Sequence, residues 1–337
     1  MTAGPADRLC AAGSRLAFGL AAAWSAPRLP ILIFHRVLAA PDPLFPDEID
    51  ATRFDRLVAL LARSFQVLTL GQAIERLHGG TLPPRALVIT FDDGYADNAQ
   101  IALPILQRHG LAATFFVSTG FLDGGRMWND TVIECLRRTR LERVDLAEFG
   151  LGAFELTGAD HRRAAIEALL PRIKYLPLAA REDATSRLQA RLAVPALPHD
   201  LMMRSSDVVA LHRAGMEIGG HTVHHPILTE LPDAAAEAEI AAGRQHLQTL
   251  IGAAVDVFAY PNGRPGRDYD ARHVAMLRAQ GFRGAVSTAP GMAATTRADL
   301  LQLPRFTPWD RPLHRWAASL LWHRVRQARH ALADAAT

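Results

Sequence analysis

The chain reads as an α/β protein built on a mostly parallel sheet. Two observations predict this: short apolar runs of strand length alternate with segments of helical period, and glycines stand where the helices stop. The first strand spans 30–35, an apolar run closed by the polar His35. Residues 52–63 carry Phe54, Leu57, Val58, Leu60 and Leu61 at helical spacing. A strand over 65–70, a helix over 71–77 and a buried strand over 86–91 follow. Then come a helix over 98–109 with Gly110 as its stop and a strand over 113–117. Later, a short strand ends at Gly219, and an Ala-rich helix covers 232–251 before Gly252. Strands over 255–260, 284–287 and 303–306 flank a helix over 269–280 that Gly281 ends. This alternation implies a parallel sheet, either open or closed into a barrel. Between Met127 and Met203 the rhythm breaks into charged helical patterns, at 136–148 and 161–170, with no strong strand. That stretch, about 127–203, is read as a helical insertion.

The 337 residues are 49% hydrophobic and 21% charged, enough for a well-packed core and ordinary for a globular protein. A formal net charge of only +3, without any Lys/Arg block, argues against nucleic acid as a partner. Of the two cysteines, Cys10 and Cys135, neither sits in a CxxC, which rules out a thiolate zinc site from one segment. Arg8 and Arg15 precede a modest apolar stretch from Leu16 to Trp24. A secretory signal wants a longer and more apolar core, so an amphipathic helix on a surface fits as well. No run approaches the ~18 apolar residues of a spanning helix. Near the end, Trp316, Leu320 and Leu321 lie among basic residues and suit a helix packed on the domain or touching a membrane surface. The expected organisation is an N-terminal extension (1–29), one domain (30–310) and a helical tail (311–337). The expected compartment is cytoplasmic or membrane-peripheral rather than periplasmic.

Two motifs carry chemistry. In Thr90-Phe91-Asp92-Asp93-Gly94, adjacent carboxylates end a buried strand before a glycine that permits a sharp turn. Successive side chains at a strand end point in different directions, so one carboxylate can ligate a metal while the other faces a reacting water. An Asp-rich turn beside a helix cap is the bland alternative. The second motif, His221-Thr222-Val223-His224-His225-Pro226, follows a strand, with Pro226 suited to the first turn of a next helix. Two imidazoles with one carboxylate form a familiar catalytic zinc set that leaves positions open for water and substrate. Taken alone, the second motif also reads as three histidines in a polar loop.

Together the motifs resemble the first two of the polysaccharide deacetylases, the NodB-homology or carbohydrate esterase family 4 group, over about residues 30–306. The resemblance implies a distorted (β/α)7 barrel. It also implies Asp92 as general base and Asp93, His221 and His225 as ligands of a divalent ion, zinc by default, with His224 on a variable position. The stretch Phe258-Ala259-Tyr260-Pro261-Asn262-Gly263 resembles the family's third motif, which makes Tyr260 and Asn262 candidates for substrate or oxyanion contact. It departs from the pattern in placing Ala259 where an Arg is usual. The backbone N–H of Asn262 can still serve an oxyanion, and Arg305 is the candidate to orient the base. The family's usual acid segment is matched poorly by Leu313-His314. The opening strand ending in His35 resembles the circularly permuted biofilm-polysaccharide deacetylases, in which this strand comes first, and makes His35 the candidate acid. Trp128 suits a sugar face or a helix start.

These residues imply metal-dependent removal of acetyl groups from an N-acetylated polysaccharide or sugar precursor, with a carbohydrate as partner and a polysaccharide-assembly complex as a conceivable context. Two alternatives keep the fold: a catalytically silent glycan-binding or assembly protein, and an amidase for a small N-acyl compound.

Overall fold

The computed structural model describes residues 28–294 and 299–306. The N-terminal stretch around Leu16–Trp24 and the tail containing Leu313-His314 and Trp316 lie outside the described residues. Among those described, no helix is long and apolar enough to cross a membrane.

In chain order, β1 (Arg28–Leu29) and β2 (Ile31–Phe34) precede α1 (Ala51–Ser64), β3 (Gln66–Leu68), α2 (Leu70–His78) and β4 (Ala86–Phe91). The chain continues through a π-turn (Asn98–Ala102) into α3 (Leu103–Arg108) and β5 (Thr114–Val117). Next come α4 (Trp128–Arg138), β6 (Arg143–Asp145), β7 (Ala153–Glu155), α5 (Ala159–Lys174) and α6 (Leu178–Arg191). The remainder is α7 (Ser205–Arg213), β8 (Glu217–Gly220), α8 (Asp233–Ile251), β9 (Val257–Ala259), α9 (Ala271–Ala279), β10 (Gly284–Pro290), β11 (Ala293–Ala294) and β12 (Leu303–Arg305).

The main sheet runs β12-β10-β9-β8-β5-β4-β2, all parallel, with β3 on β4 as well. It closes on itself: Phe306 forms a parallel bridge to Leu32, with Ile33 N–H donating to Phe306 O (3.2 Å) and Phe306 N–H to Ile31 O (2.7 Å). The result is a seven-stranded (β/α)7 barrel, the closed alternative of the two the sequence allowed. Period-2 alternation sorts the strand side chains between two cores. Leu32, Phe34, Ile89, Phe91 and Phe115 pack outward against α1, α3 and α7, with Phe91 stacked on Phe115 at 4.8 Å between ring centroids. Ile31, Val88, Phe116, Val257, Ala259, Val286 and Leu303 fill the interior, which α2 plugs with Leu70, Ala73, Ile74 and Leu77. A capping box between Thr69 and Gln72 starts α2, so the strand expected over 65–70 ends at Leu68.

Residues 128–197 form their own layer with a separate apolar core that includes Val132, Leu136, Ile166, Leu169, Leu188 and Leu192. Here the sequence reading needs correction. The pattern over 136–148 is not one helix: α4 stops at Arg138, and β6 and β7 make a two-stranded antiparallel hairpin. Thr139 is the physical cause. Its hydroxyl donates to Leu192 O (2.7 Å) and accepts from Leu141 N–H (3.2 Å), which gives the chain a polar alternative to another helical turn. Nor does a helix begin at Pro226. After a single 3-10 turn (Leu228–Glu230), α8 starts at Asp233 behind Pro232, because His225 sits at φ 50° and turns the chain away from helix.

Candidate active site

Parallel register aligns the C-terminal ends of the barrel strands, and the candidate residues follow those ends. Phe34 pairs with Phe91, Val117 with Gly220, and Gly220 with Phe258. His35, Asp92, Asp93 and His221 therefore emerge on one rim, the face where barrel enzymes hold their chemistry.

Strand parity puts Val88, Thr90 and Asp92 on the interior face. Asp93 would then point outward, but its φ of 77° is left-handed, so the chain twists and the second carboxylate also meets the rim. Asp93 Oδ1 lies 3.3 Å from Nε2 of both His221 and His225. The ligand atoms of these three buried residues lie within 4.8 Å of one another. His221 Nδ1 is 2.7 Å from Ala259 O. A carbonyl only accepts, so Nδ1 carries a proton; burial lowers the His221 imidazole, but its hydrogen bond to Asp93 outweighs this and raises it, and Nε2 offers a lone pair once its proton leaves. Burial pushes His225 down to about 3 against the pull of Asp93, which leaves the imidazole neutral as a metal ligand must be. Burial opposes ionisation of Asp93, but the His221 hydrogen bond and the nearby imidazoles outweigh it and hold the carboxyl far below its ordinary value. Two neutral-capable imidazoles and one ionised carboxylate, aimed at one point, fit a divalent ion.

Asp92 has a different partner. Arg305 reaches it as a fork, with Nη1 on Oδ1 at 2.7 Å and Nη2 on Oδ2 at 2.6 Å. Arg305 Nε donates to Ser287 O (2.9 Å) and Nη1 also to Thr90 Oγ1 (3.2 Å), so the guanidinium is anchored across β10. Both side chains are buried, at 0% and 4% exposure. Burial opposes ionisation of Asp92, but the Arg305 charge and its hydrogen bonds more than offset it, and the carboxyl stays below the usual range.

A cavity of about 250 Å³ opens over this centre. His35, Asp92, Asp93, Trp128, His221, His225 and Asn262 are among its lining residues, and Leu170 and Lys174 of α5 reach it from the insertion. The His35 loop is held from behind: Asn98 Nδ2 donates to His35 O (2.9 Å), while Asp97 accepts from Val37 N–H (3.2 Å) and Arg36 Nε (2.8 Å). Asn262 sits at φ 60°, with its carbonyl accepting from Thr288 Oγ1 (2.8 Å). Trp128 opens α4, half-buried, with the Arg181 guanidinium 5.5 Å from its ring centroid.

One candidate is misplaced. Tyr260 does not line the cavity: it is fully buried, stacked on Tyr269 at 3.7 Å, and its hydroxyl donates to Leu301 O (3.0 Å). Parity explains this, since Phe258 and Tyr260 share the outward face toward α8 and α9 while Val257 and Ala259 face inward. Two supports of the His221–His225 loop went unread in the sequence. Glu239 of α8 accepts from the N–H groups of Val223 (3.0 Å) and His224 (2.9 Å) and pairs with His224 Nδ1 (2.7 Å). Gly243, one helical turn on, lets α8 pack against the loop, because a Cβ there would stand 2.8 Å from Thr222 O. Their signal was an Ala-rich helix in which Glu239 and Gly243 stand four apart on one face. Gly243→Ala is expected to shift the loop and weaken metal affinity about 10- to 100-fold, as losses behind the ligands commonly do. Metal titration of the variant checks this.

Comparison with known proteins agrees with this architecture. A family model described as polysaccharide deacetylase matches residues 79–144 and 186–285, which include both motifs. Over these two segments the chain is similar to the polysaccharide deacetylase family. The family match skips 145–185, the heart of the extra helical layer. A putative polysaccharide deacetylase of Bacillus subtilis, YxkH, is 35% identical over 92 residues, 27% of this chain and 32% of that protein. The match thus spans about a third of that relative's length. The structure of Streptococcus pyogenes deacetylase PplD shares the fold with a TM-score of 0.60 at 17% identity, covering 90% of this chain and 100% of that one. IcaB from Ammonifex degensii does so at 0.56 and 18%, covering 87% and 98%.

Proposed function

We propose that the chain removes acetyl groups from an N-acetylated polysaccharide or sugar precursor, with a divalent ion, zinc by default, held by Asp93, His221 and His225. The observation that carries the reading is the division of labour between adjacent carboxylates around one cavity. Asp93 faces two imidazoles at 3.3 Å, and Asp92 is gripped by the Arg305 fork. When bound there, a divalent ion supplies Lewis-acid polarisation of the acetyl carbonyl and of water. Zinc suits two imidazoles and a carboxylate, as cobalt, nickel and iron also do.

The chain's own residues supply the rest. Asp92, kept ionised and oriented by Arg305, takes the proton of the attacking water. The developing oxyanion can be met by the Asn262 N–H, which has no hydrogen-bond acceptor among the described residues. His35 protonates the departing amine as the carbon–nitrogen bond breaks, leaving acetate and a free amino sugar. Trp128 offers one ring face at the cavity for a sugar to stack on. Arg305 does for Asp92 what an Arg at the Ala259 position would do, so the departure at Ala259 does not favour a silent protein.

The test is acetate release from N-acetylated oligosaccharides, beside elemental analysis of the purified chain. About one divalent ion per chain, with release lost on chelation and restored by zinc, is expected. Acetate release from small N-acyl compounds alone would turn the reading to an amidase. No release from any acetylated substrate by the metal-loaded chain would overturn it.

A further inference from the structure

A second cavity of about 160 Å³ adjoins the first and shares His35, Asp93 and Asn129 with it as a common wall. Its other charged lining residues are Arg36, Asp42, Glu48, Asp130 and Arg137. Most of these charges are already matched. Arg36 pairs with Asp97 at 2.8 Å, and Arg137 pairs with Asp42 at 2.6 Å and Glu134 at 2.8 Å. Glu48 and Asp130 are left without an ion pair among the described residues.

Asp130 is 3% exposed, and only one of its oxygens is engaged: Oδ1 accepts from Tyr95 OH at 3.2 Å. Its Oδ2 is buried with no hydrogen-bond partner among the described residues, and the same holds for Oδ1 of the neighbouring Asn129. Two orphaned acceptors on residues that line one cavity call for a donor that the described residues do not supply. A neutral hydroxyl would satisfy one of them but leave the two carboxyls sharing the field of Arg36, which already pairs with Asp97. An ammonium group carries three donors and the opposite charge.

We propose that this cavity binds the sugar unit next to the one being deacetylated when that unit already carries a free amine, with Asp130 and Glu48 as counter-charges and the Asn129 carbonyl as an acceptor. The proposal rests on the deacetylase reading and names the feature of the chain's substrate that this site selects. Burial pushes Asp130 up to about 7 and also raises Glu48, which is the state expected of carboxyls whose cation is supplied by a ligand. The shared wall sets the bound amine beside His35 and Asp93, so each reaction creates the group that favours reaction at its neighbour. Deacetylation then spreads in runs along a polymer instead of at scattered units.

The experiment uses the zinc-loaded chain and two kinds of probe: the fully acetylated tetramer of N-acetylglucosamine, and the tetramers with a single free amine at either inner unit. Acetate release from the fully acetylated tetramer tests the deacetylase reading by itself. For the wild type, one of the singly deacetylated tetramers is expected to show kcat/KM about tenfold higher than the full one, through a lower KM. In Asp130→Asn and Glu48→Gln that ratio is expected to fall to about one. A wild-type ratio near one, with acetate still released, overturns the proposal while leaving the deacetylase reading intact. So does a ratio that survives both substitutions, or an equal rise in KM for every tetramer, which would mark a reader of neutral hydroxyls. Metal content and thermal unfolding show whether each variant is folded, and either variant alone suffices.

Discussion

Asp92→Asn is expected to lower kcat by about a hundred- to ten-thousand-fold, the usual contribution of a positioned general base. The substitution keeps the shape of the side chain but removes the site that accepts the water's proton. Asp93, His221 and His225 are untouched, so metal content should equal that of the wild type. Loss confined to kcat would mark a group acting in the transition state, whereas a rise in KM alone would mark a binding role. Full activity in the variant would exclude Asp92 as the base. The pH profile adds a second reading. Arg305 holds the Asp92 carboxyl below its ordinary value, so the acid limb of the wild-type rate should lie below the range of a free aspartate.

Arg305→Met is expected to destabilise the fold by about 3–5 kcal/mol, because it strands a buried carboxylate among apolar and backbone groups. Denaturant unfolding at neutral pH measures this. The pair's contribution is present above the unfolded pKa of aspartate, about 3.9, and is lost as pH falls through the lower folded value. The gap between variant and wild type should therefore narrow as pH falls, first above about pH 4, where the variant's Asp92, raised by burial without its counter-charge, takes up a proton, and then further as the wild-type carboxyl does so below it. Adding Asp92→Asn to Arg305→Met removes the stranded charge and should recover much of the stability but none of the activity. A single variant as stable as the wild type across this range would mean that the fork contributes nothing to the fold.

Both pairs of candidate site residues were legible in the sequence because their chemistry is local. Asp92 and Asp93 share one strand end, and His221 and His225 share one loop, so spacing alone brings them together. The strands were legible for the same reason, as apolar runs with clear glycine stops. Contacts made across the barrel were harder. Arg305 could be nominated from its place after a strand, yet its grip on Asp92 depends on the barrel closing, which no local pattern encodes. Tyr260 was misread because the motif suggests a string of contact residues, whereas strand parity turns alternate members away. Glu239 and Gly243 lie in an Ala-rich helix whose weak amphipathy hides which face meets the His221–His225 loop. Asp130 passed unnoticed because a single Asp in a helix start has many ordinary explanations.

The last described strand gives the chain an order of events. Arg305 lies 213 positions after Asp92, and the next residue, Phe306, hydrogen-bonds to the first barrel strand. During synthesis from the N-terminus, both motifs therefore leave the ribosome well before the base has its counter-charge and before the sheet has its seam. A nascent chain halted ahead of residue 303 would hold its ligands in an open sheet with two unpaired edges and an unmatched interior carboxylate. Competence for chemistry and closure of the fold thus arrive in a single late step, set by two consecutive residues.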